Sequence, residues 1–535
     1  MNTQQLNKKT HKILTLVVSI LFFSGCTNSG NSSEEQISPN ILIIIADDVS
    51  YDSFGFAGGV APDVTPNIDR LANEGLSFAK AFSTVAVCQP SRQSMLTGLI
   101  PNHYGSQGFF PMKPGTPNLP TILRKAGYLT GIIHKQHHLQ PEEDFNWNYE
   151  NERLGLTDPD GMVGRNPKLI ASGLRKMIDD ADKEGKPFFM FAGSADAHRP
   201  FHGDPPNKNI TFWGNGKVEI SFPDPSRIYS PNEVTVTPAL PDIRAIRTDL
   251  AKYASSIRRL DDMVGECLKV LDETNKSENT LVIFVSDNGM PLAFGKFDTY
   301  LGSNHSPLLM KWPKRIKKGT SIEKHLVSLM DITPTVLELA GLEIPSPIDG
   351  KSLVPFINNN TPETWRESII FIRNQDIYYG DALKTVLKRN PDFSKKLEAI
   401  GWRPSTEHEV EGTHVRDKEI RTFYDGKYGY IYNNCYREDG LEKGSLGTIV
   451  PYNGQSIRAM RAAGESDPAV KKRFESYLLR APEELYDWSK DPGSQVNLAG
   501  NPEYGEVLSK ARKGLLNYMK SANDPLTEVF EDMIQ

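Results

Sequence analysis

Asn40-Ile41-Leu42-Ile43-Ile44-Ile45-Ala46-Asp47-Asp48 is the stretch on which the fold turns. A strand with one wet face alternates apolar and polar side chains. An unbroken run rich in isoleucine instead reads as a central strand buried on both faces, the signature of an α/β sheet. The run ends in two adjacent carboxylates. Such sheets hold their ligands beyond the C-terminal ends of the strands. Two acids side by side in that position repel unless a cation neutralises them. These residues alone leave two readings open, a solvated turn or a site for a hard cation.

Further runs of the same kind follow. Pro187 to Ala192 reads as a buried strand ending in Ser194-Ala195-Asp196-Ala197-His198-Arg199-Pro200, and Thr280 to Val285 as another ending in Ser286-Asp287-Asn288-Gly289. Asp287 and Asn288 thereby join Asp47 and Asp48 at one sheet edge. A set of hard oxygen donors selects Ca²⁺, with Mg²⁺ as the alternative, over zinc. His198, just past a strand end, is a candidate acid. Tyr128 to Ile133 is a strand leading into His134-Lys135-Gln136-His137-His138, where an extended segment would point Lys135 and His137 to one face. Lys296 follows in a Gly-flanked loop, and Ser306 to Met310 supplies a last core strand.

Amphipathic patterns predict helices opening at Thr65 to Ala72, over Asn118 to Gly127 with a glycine stop, and over Asp249 to Glu273. Ser328 to Gly341 reads as a helix with a glycine C-cap, in which Asp331 has a capping role. Residues 203–245, rich in Pro, Asn and Asp, read as a long surface loop, a length more often functional than not. Asp349 to Leu353 closes the large domain. After about residue 365 the pattern shifts to shorter strands and turns. Arg421 to Tyr424 and Lys427 to Tyr432 form an antiparallel hairpin joined by Asp425-Gly426.

Composition sets the outer limits. The chain has 535 residues, enough for one large domain plus a smaller one. Lys+Arg 61 against Asp+Glu 67 gives −6, so no basic face for nucleic acid is expected. Four cysteines cannot frame a chain of this size, and Cys267 and Cys435 are left as thiols or a single bridge. Residues 1–26 read as a targeting segment, with Lys8, Lys9 and Lys12 before an apolar run from Ile13 to Phe23 that is shorter than the roughly 20 residues a spanning helix needs. Phe23-Ser24-Gly25-Cys26 resembles a bacterial lipobox, which implies lipidation of Cys26 and a periplasmic or cell-surface protein on a membrane anchor; plain secretion is the alternative. Removal of residues 1–25 takes three lysines and no acids, so 58 basic against 67 acidic side chains leave −9. Residues 27–39 are a Ser/Asn/Glu-rich tether expected to be disordered.

The remaining signal is Cys88-Gln89-Pro90-Ser91-Arg92-Gln93-Ser94-Met95-Leu96-Thr97-Gly98. It reads as a loop entering a short helix that stops at Gly98 in a left-handed cap. A cysteine at a helix start, with Arg92 one turn on, favours an anion there.

This stretch resembles the extended signature of the type I sulfatases, the formylglycine-dependent family. His134 to His138 is similar to that family's G-K-x-H element, with His134 where glycine usually stands, and Glu484-Leu485-Tyr486-Asp487 to Asn497-Leu498 resembles its C-terminal signature. The resemblance implies an α/β, alkaline-phosphatase-like sandwich: a large central mixed sheet between helices over 40–360, and a smaller C-terminal α+β subdomain with an antiparallel sheet over 361–535. It implies that Cys88 is oxidised to formylglycine by a maturation enzyme, and that the hydrate attacks sulfur. It further implies that Asp47, Asp48, Asp287, Asn288 and residue 88 bind the metal. Arg92, Lys135 and Lys296 meet the sulfate anion; His198 binds it and protonates the leaving group, and His137 positions or deprotonates the formylglycine hydroxyls. Gly131-Ile132-Ile133, Val163-Gly164-Arg165-Asn166, Ser286 to Pro291 and Leu308-Leu309 lean towards the heparan N-sulfatase branch, which implies a sulfated saccharide substrate, N-sulfoglucosamine first and an O-sulfated glycan second. A phosphatase or phosphonate hydrolase of the same fold predicts a Thr or Ser nucleophile or a His-rich zinc set. An inactive glycan-binding lipoprotein predicts the loss of a motif residue, and none is lost.

Overall fold

The computed structural model describes residues 38–106, 108, 111–156, 163–204, 222–374, 419–434, 456–478 and 480–535. The targeting segment with Cys26, most of the tether, the middle of the 203–245 stretch and Cys435 lie outside the described residues.

The decisive run is β1 (Asn40–Ala46), every residue of which is buried. Leu42, Ile44 and Ala46 enter one apolar core and Ile41, Ile43 and Ile45 the other, so the strand is dry on both faces. At about 2 kcal/mol for each fully buried Leu or Ile, residues 41–45 alone contribute on the order of 10 kcal/mol of gross burial. With β2 (Leu76–Phe78), β4 (Leu129–Ile133), β5 (Phe188–Gly193), β6 (Thr280–Ser286), β7 (Leu308–Lys311) and β8 (Thr320–Ile322), it forms a seven-stranded mixed sheet in the order β4-β5-β1-β6-β7-β2-β8. β4, β5, β1 and β6 run parallel, and β7 turns antiparallel to β6. A short pair, β3 (Ala81–Phe82) with β9 (Val327–Ser328), lies outside it.

Helices Pro167–Glu184 and Arg244–Glu273 pack on the Leu42 face through Leu174, Met177, Leu250 and Ile257. Helices Cys88–Thr97 and Ile332–Leu339 pack on the Ile43 face through Met95, Leu96, Val336 and Leu337. The second sheet is antiparallel, in the order β10 (Ile369–Arg373), β11 (Ile420–Tyr424), β12 (Tyr428–Asn433), β13 (Glu483–Asp487). Helix Gly505–Ser521 covers one face through Leu508 and Leu515, while Phe371, Tyr424 and Trp488 join the main core. Residues Ser38–Gln535 make one compact unit. Among the described residues no helix is long and apolar enough to cross a membrane.

Three expectations need correction. The His134–His138 segment is not extended: His134 and Lys135 are left-handed, with φ of 62° and 60°, and Gln136–His138 form a 3-10 turn. Lys135 and His137 therefore share the site by a tight bend, not by strand alternation. The described part of the 203–245 stretch is not a surface loop throughout, because Tyr229, Val234 and Leu240 are buried in the main core. The long helix begins at Arg244, five residues earlier than its amphipathic pattern suggested. In contrast, Asp331 caps as expected: its carboxylate accepts from the Ser328 N–H at 2.8 Å within a capping box.

Candidate active site

Strand register assembles the acidic cluster. Ala46 lies opposite Ser286 in the β1–β6 ladder, so Asp47 and Asp287 leave the sheet together. On the other side Ile45 faces Gly193, and the chain beyond β5 turns back so that Asp196 O accepts the Asp47 N–H at 3.0 Å. Asp48 takes a left-handed φ of 64°, and its N–H donates to Asp287 Oδ1 at 3.0 Å. Asn288 Nδ2 donates to Asp48 Oδ1 at 2.8 Å. The four predicted oxygen donors thus meet at one point, fully buried.

The Cys88–Thr97 helix delivers the second half. Its last residues close at Gly98, whose φ of 71° lies in the left-handed region that favours glycine. At its start Ser91 Oγ donates to Asp287 O at 2.6 Å, tying the helix to the end of β6. Arg92 Nε and Nη2 donate to Asp287 Oδ2 at 3.0 and 2.8 Å, and Nη2 lies 3.5 Å from Asp47 Oδ1. Lys296 Nζ sits 2.7 Å from Asp48 Oδ1 and 3.4 Å from Cys88 Sγ. Lys135 Nζ is 2.7 Å from Asp47 Oδ2, an ion pair outside hydrogen-bond alignment. His198 Nε2 is 3.8 Å from Asp48 Oδ2. Its Nδ1 faces Arg199 O at 2.6 Å, and a carbonyl only accepts, so Nδ1 carries the proton and Nε2 is the end turned to the site.

The electrostatics follow from this packing. Burial works against the ionised form of Asp47, but Lys135, His198, Arg92 and Lys296 more than offset it and hold its pKa well below the usual range. Burial together with the neighbouring Asp47 and Asp48 charges pushes Asp287 up to about 7, against the opposing pull of Arg92. Burial raises the Cys88 thiol, with Lys296 and Lys135 opposing it. Burial, then Lys296, lowers His198 to about 4. His137 keeps solvent contact at the mouth, where enclosure and the Lys135 and Arg92 charges push its pKa downward.

The donor set fits a hard divalent cation. Both Asp47 oxygens and Asn288 Oδ1 are buried with no hydrogen-bond donor, an arrangement that is costly without a partner. Asp47, Cys88 and Asp287 each place one ligand atom within 4.8 Å of the others. Arg92 Nη1 is likewise buried without an acceptor, a donor open to an anion. Sequence reasoning missed two contributors. Arg165, in the Val163-Gly164-Arg165-Asn166 stretch, donates to His198 O at 2.8 Å, and Asp196 anchors both Asp47 N and Arg165. The available signal for Asp196 was an acid just past a buried strand, the pattern that identified Asp47.

Comparison with known proteins agrees with this assembly. Residues 39–342 match the sulfatase family. The chain is 30% identical over 499 residues to human N-sulphoglucosamine sulphohydrolase, covering 91% of each protein. Among solved structures, it superposes on an enzyme in complex with its substrate D-glucosamine-2-N,6-O-disulfate at a TM-score of 0.59, 19% identity, covering 91% of this chain and 99% of that one. It superposes equally well on the phosphonate monoester hydrolase of Agrobacterium radiobacter, at 0.60 and 18% identity over 90% and 96%. The fold alone therefore does not choose between the two chemistries. The match along residues 39–342 does, and the chain belongs to the sulfatase family.

Proposed function

We propose that this sulfatase hydrolyses the sulfamate of a terminal N-sulfoglucosamine, using a formylglycine made from Cys88 by a maturation enzyme, and a divalent cation, Ca²⁺ before Mg²⁺. The observation that carries the substrate is the 30% identity to N-sulphoglucosamine sulphohydrolase, which runs through 91% of the chain and so extends well past residue 342. The mature charge of −9 supports a small terminal substrate over a long polyanion, which a repulsive field slows on approach.

In this reading Asp47, Asp48, Asp287, Asn288 and residue 88 would hold the cation, which supplies Lewis-acid polarisation of a sulfate oxygen and a net positive pocket. A formylglycine hydrate at residue 88 would supply paired hydroxyls, one as nucleophile towards sulfur and one whose acidity would allow release of sulfate. The chain's own side chains do the rest. Three cations, Arg92, Lys135 and Lys296, balance three carboxylates, Asp47, Asp48 and Asp287, so the pocket accepts an anion once a cation is added. Arg92 Nη1 is placed to donate to the sulfate. Lys296, 3.4 Å from Sγ, restrains residue 88 and its charge favours an oxyanion there. His198, fixed through Nδ1, presents Nε2 to the leaving nitrogen. An amine leaves poorly unless protonated, and His198 Nε2 is the group placed to supply that proton.

The test is release of sulfate from N-sulfoglucosamine, glucosamine 6-sulfate and a sulfated galactose. The expected result is at least tenfold higher kcat/KM, about 1.4 kcal/mol, for the N-sulfated sugar. A tenfold preference for an O-sulfate would make the chain an O-sulfatase. We also propose lipidation at Cys26 and display in the periplasm or on the cell surface; Cys26→Ala should then release the protein from the membrane fraction, and unchanged membrane retention would refute this.

A further inference from the structure

Arg165 is buried, 2% exposed, in a 3-10 turn over Val163–Arg165, away from the acidic cluster but facing the back of His198. Its Nη1 donates to Asp196 Oδ1 and to Pro200 O, both at 2.9 Å, and Nη2 to His198 O at 2.8 Å. All three acceptors belong to the 196–200 turn beyond β5. Asp196 is already held by a second buried arginine: Arg259 Nε and Nη2 donate to Oδ2 and Oδ1 at 2.7 and 2.9 Å. Both guanidinium groups also lie over the Phe222 ring, 5.1 and 5.4 Å from its centroid.

Two guanidinium charges therefore stand against one carboxylate, and Arg165 Nε is buried with no acceptor. A surplus charge with an unsatisfied donor is an expensive way to stabilise a core, because Arg259 alone neutralises Asp196. What Arg165 alone does is grip the carbonyls of His198 and Pro200. Between them lies Arg199, whose carbonyl orients the His198 ring and whose side chain is pinned by Asp249.

We propose that Arg165 is a positioning residue for His198: it clamps the 196–200 turn so that Nε2 faces the leaving group. This rests on the reading of His198 as the leaving-group acid. Arg165 touches none of the reacting atoms. Its effect passes through one imidazole, so removing that imidazole should remove the effect.

A double-mutant cycle tests this with the full chain, N-sulfoglucosamine as substrate and thermal melting to verify folding. Arg165→Gln leaves the Arg259–Asp196 pair electrically balanced and should fold. In the wild-type background it should lower kcat about tenfold or more with KM within twofold. In the His198→Ala background the same change should alter kcat less than about twofold. Arg165→Lys should recover part of the rate in the first background only, and takes the place of Arg165→Gln in the cycle if that variant does not melt cooperatively. Equal losses in both backgrounds would overturn the proposal, since a general packing role, or one acting through Asp47 and Asp196 O, persists without His198. A separate outcome, His198→Ala retaining wild-type kcat, would overturn the acid assignment itself, and the clamp with it.

Discussion

Asp47 keeps two carboxylate oxygens in the core without a hydrogen-bond donor. Lys135 and Arg92 stand beside them only as ion-pair partners at 2.7 and 3.5 Å, so both oxygens can still accept a divalent cation. Ca²⁺ should accordingly raise the melting temperature, by the equivalent of about 2.7 kcal/mol at a free concentration near 100 times its Kd. Asp287→Ala should abolish both the shift and turnover; a shift that survives this substitution would place the ion elsewhere. A second residue-scale prediction concerns His305, stacked between Tyr51 and Phe82 at 4.0 and 4.8 Å. Burial lowers its pKa to about 4 from 6.5, although Nε2 meets Ala79 O at 2.9 Å. Between those values the unfolded chain binds the extra proton. Stability is therefore full above pH 6.5 and declines as pH falls towards 4, by on the order of 3 kcal/mol. Urea titrations at pH 7 and 4.5 should show that decline in wild type and a flatter profile in His305→Gln. At this scale the sequence showed that Asp47-Asp48 and Asp287-Asn288 would meet at one sheet edge, as they do. It did not disclose Arg165, because an arginine's role here depends on three acceptors more than 30 residues away.

Among the elements, the central strands β1, β4, β5 and β6 were read within a residue or so of their ends, because a continuous apolar run has only one way to be buried on both faces. The short strands β2 and β8, at one end of the sheet order, carry no such run and were not read. The His134 to His138 bend escaped notice, since two consecutive left-handed residues that are not glycine have no pattern of their own. Close backbone approaches are equally silent. A Cβ on Gly289 would lie 1.9 Å from Gly302 O, just after Asp287 and Asn288 of the acidic cluster. Gly289→Ala should cost about 3 kcal/mol, at the upper end for overpacking, and lower activity with it; unchanged melting would contradict the tight approach. Asp331 makes the opposite case. Its carboxylate accepts from Ser328 N, Lys351 N and both Arg366 Nη atoms at 2.7–2.8 Å. Asp331→Ala leaves the partly buried Arg366 guanidinium with Leu326 O as its remaining acceptor and should cost about 3 kcal/mol in chemical denaturation. At temperatures well below its melting point, the folded variant should retain kcat, which separates a cap from a catalytic carboxylate.

For the whole molecule, the change of architecture after about residue 365 was visible as shorter strands and turn residues, but the shared core was not. Phe371, Tyr424 and Trp488 pack into the same apolar cluster as Leu42 and Phe82. Arg480 bridges Asp298, two residues from Lys296, at 2.9 Å to Glu484 of β13 at 2.5 Å, and Thr422 donates to Thr299 at 2.7 Å. The second sheet therefore braces the loop that carries Lys296. A chain ended at residue 360 should accumulate as insoluble protein, and a soluble fragment with a cooperative melt would show that the two parts fold separately. Arg480→Ala should lower both stability and kcat, since it leaves Asp298 and Glu484 buried against each other's charge.

The central claim is that residue 88 works as an aldehyde made from cysteine. Its direct measurement is the mass of the tryptic peptide Ala81–Arg92 from enzyme purified with turnover intact. Exchange of the thiol for an aldehyde should make that peptide about 18 Da lighter than the cysteine form. Full activity with residue 88 found entirely as cysteine would contradict the account.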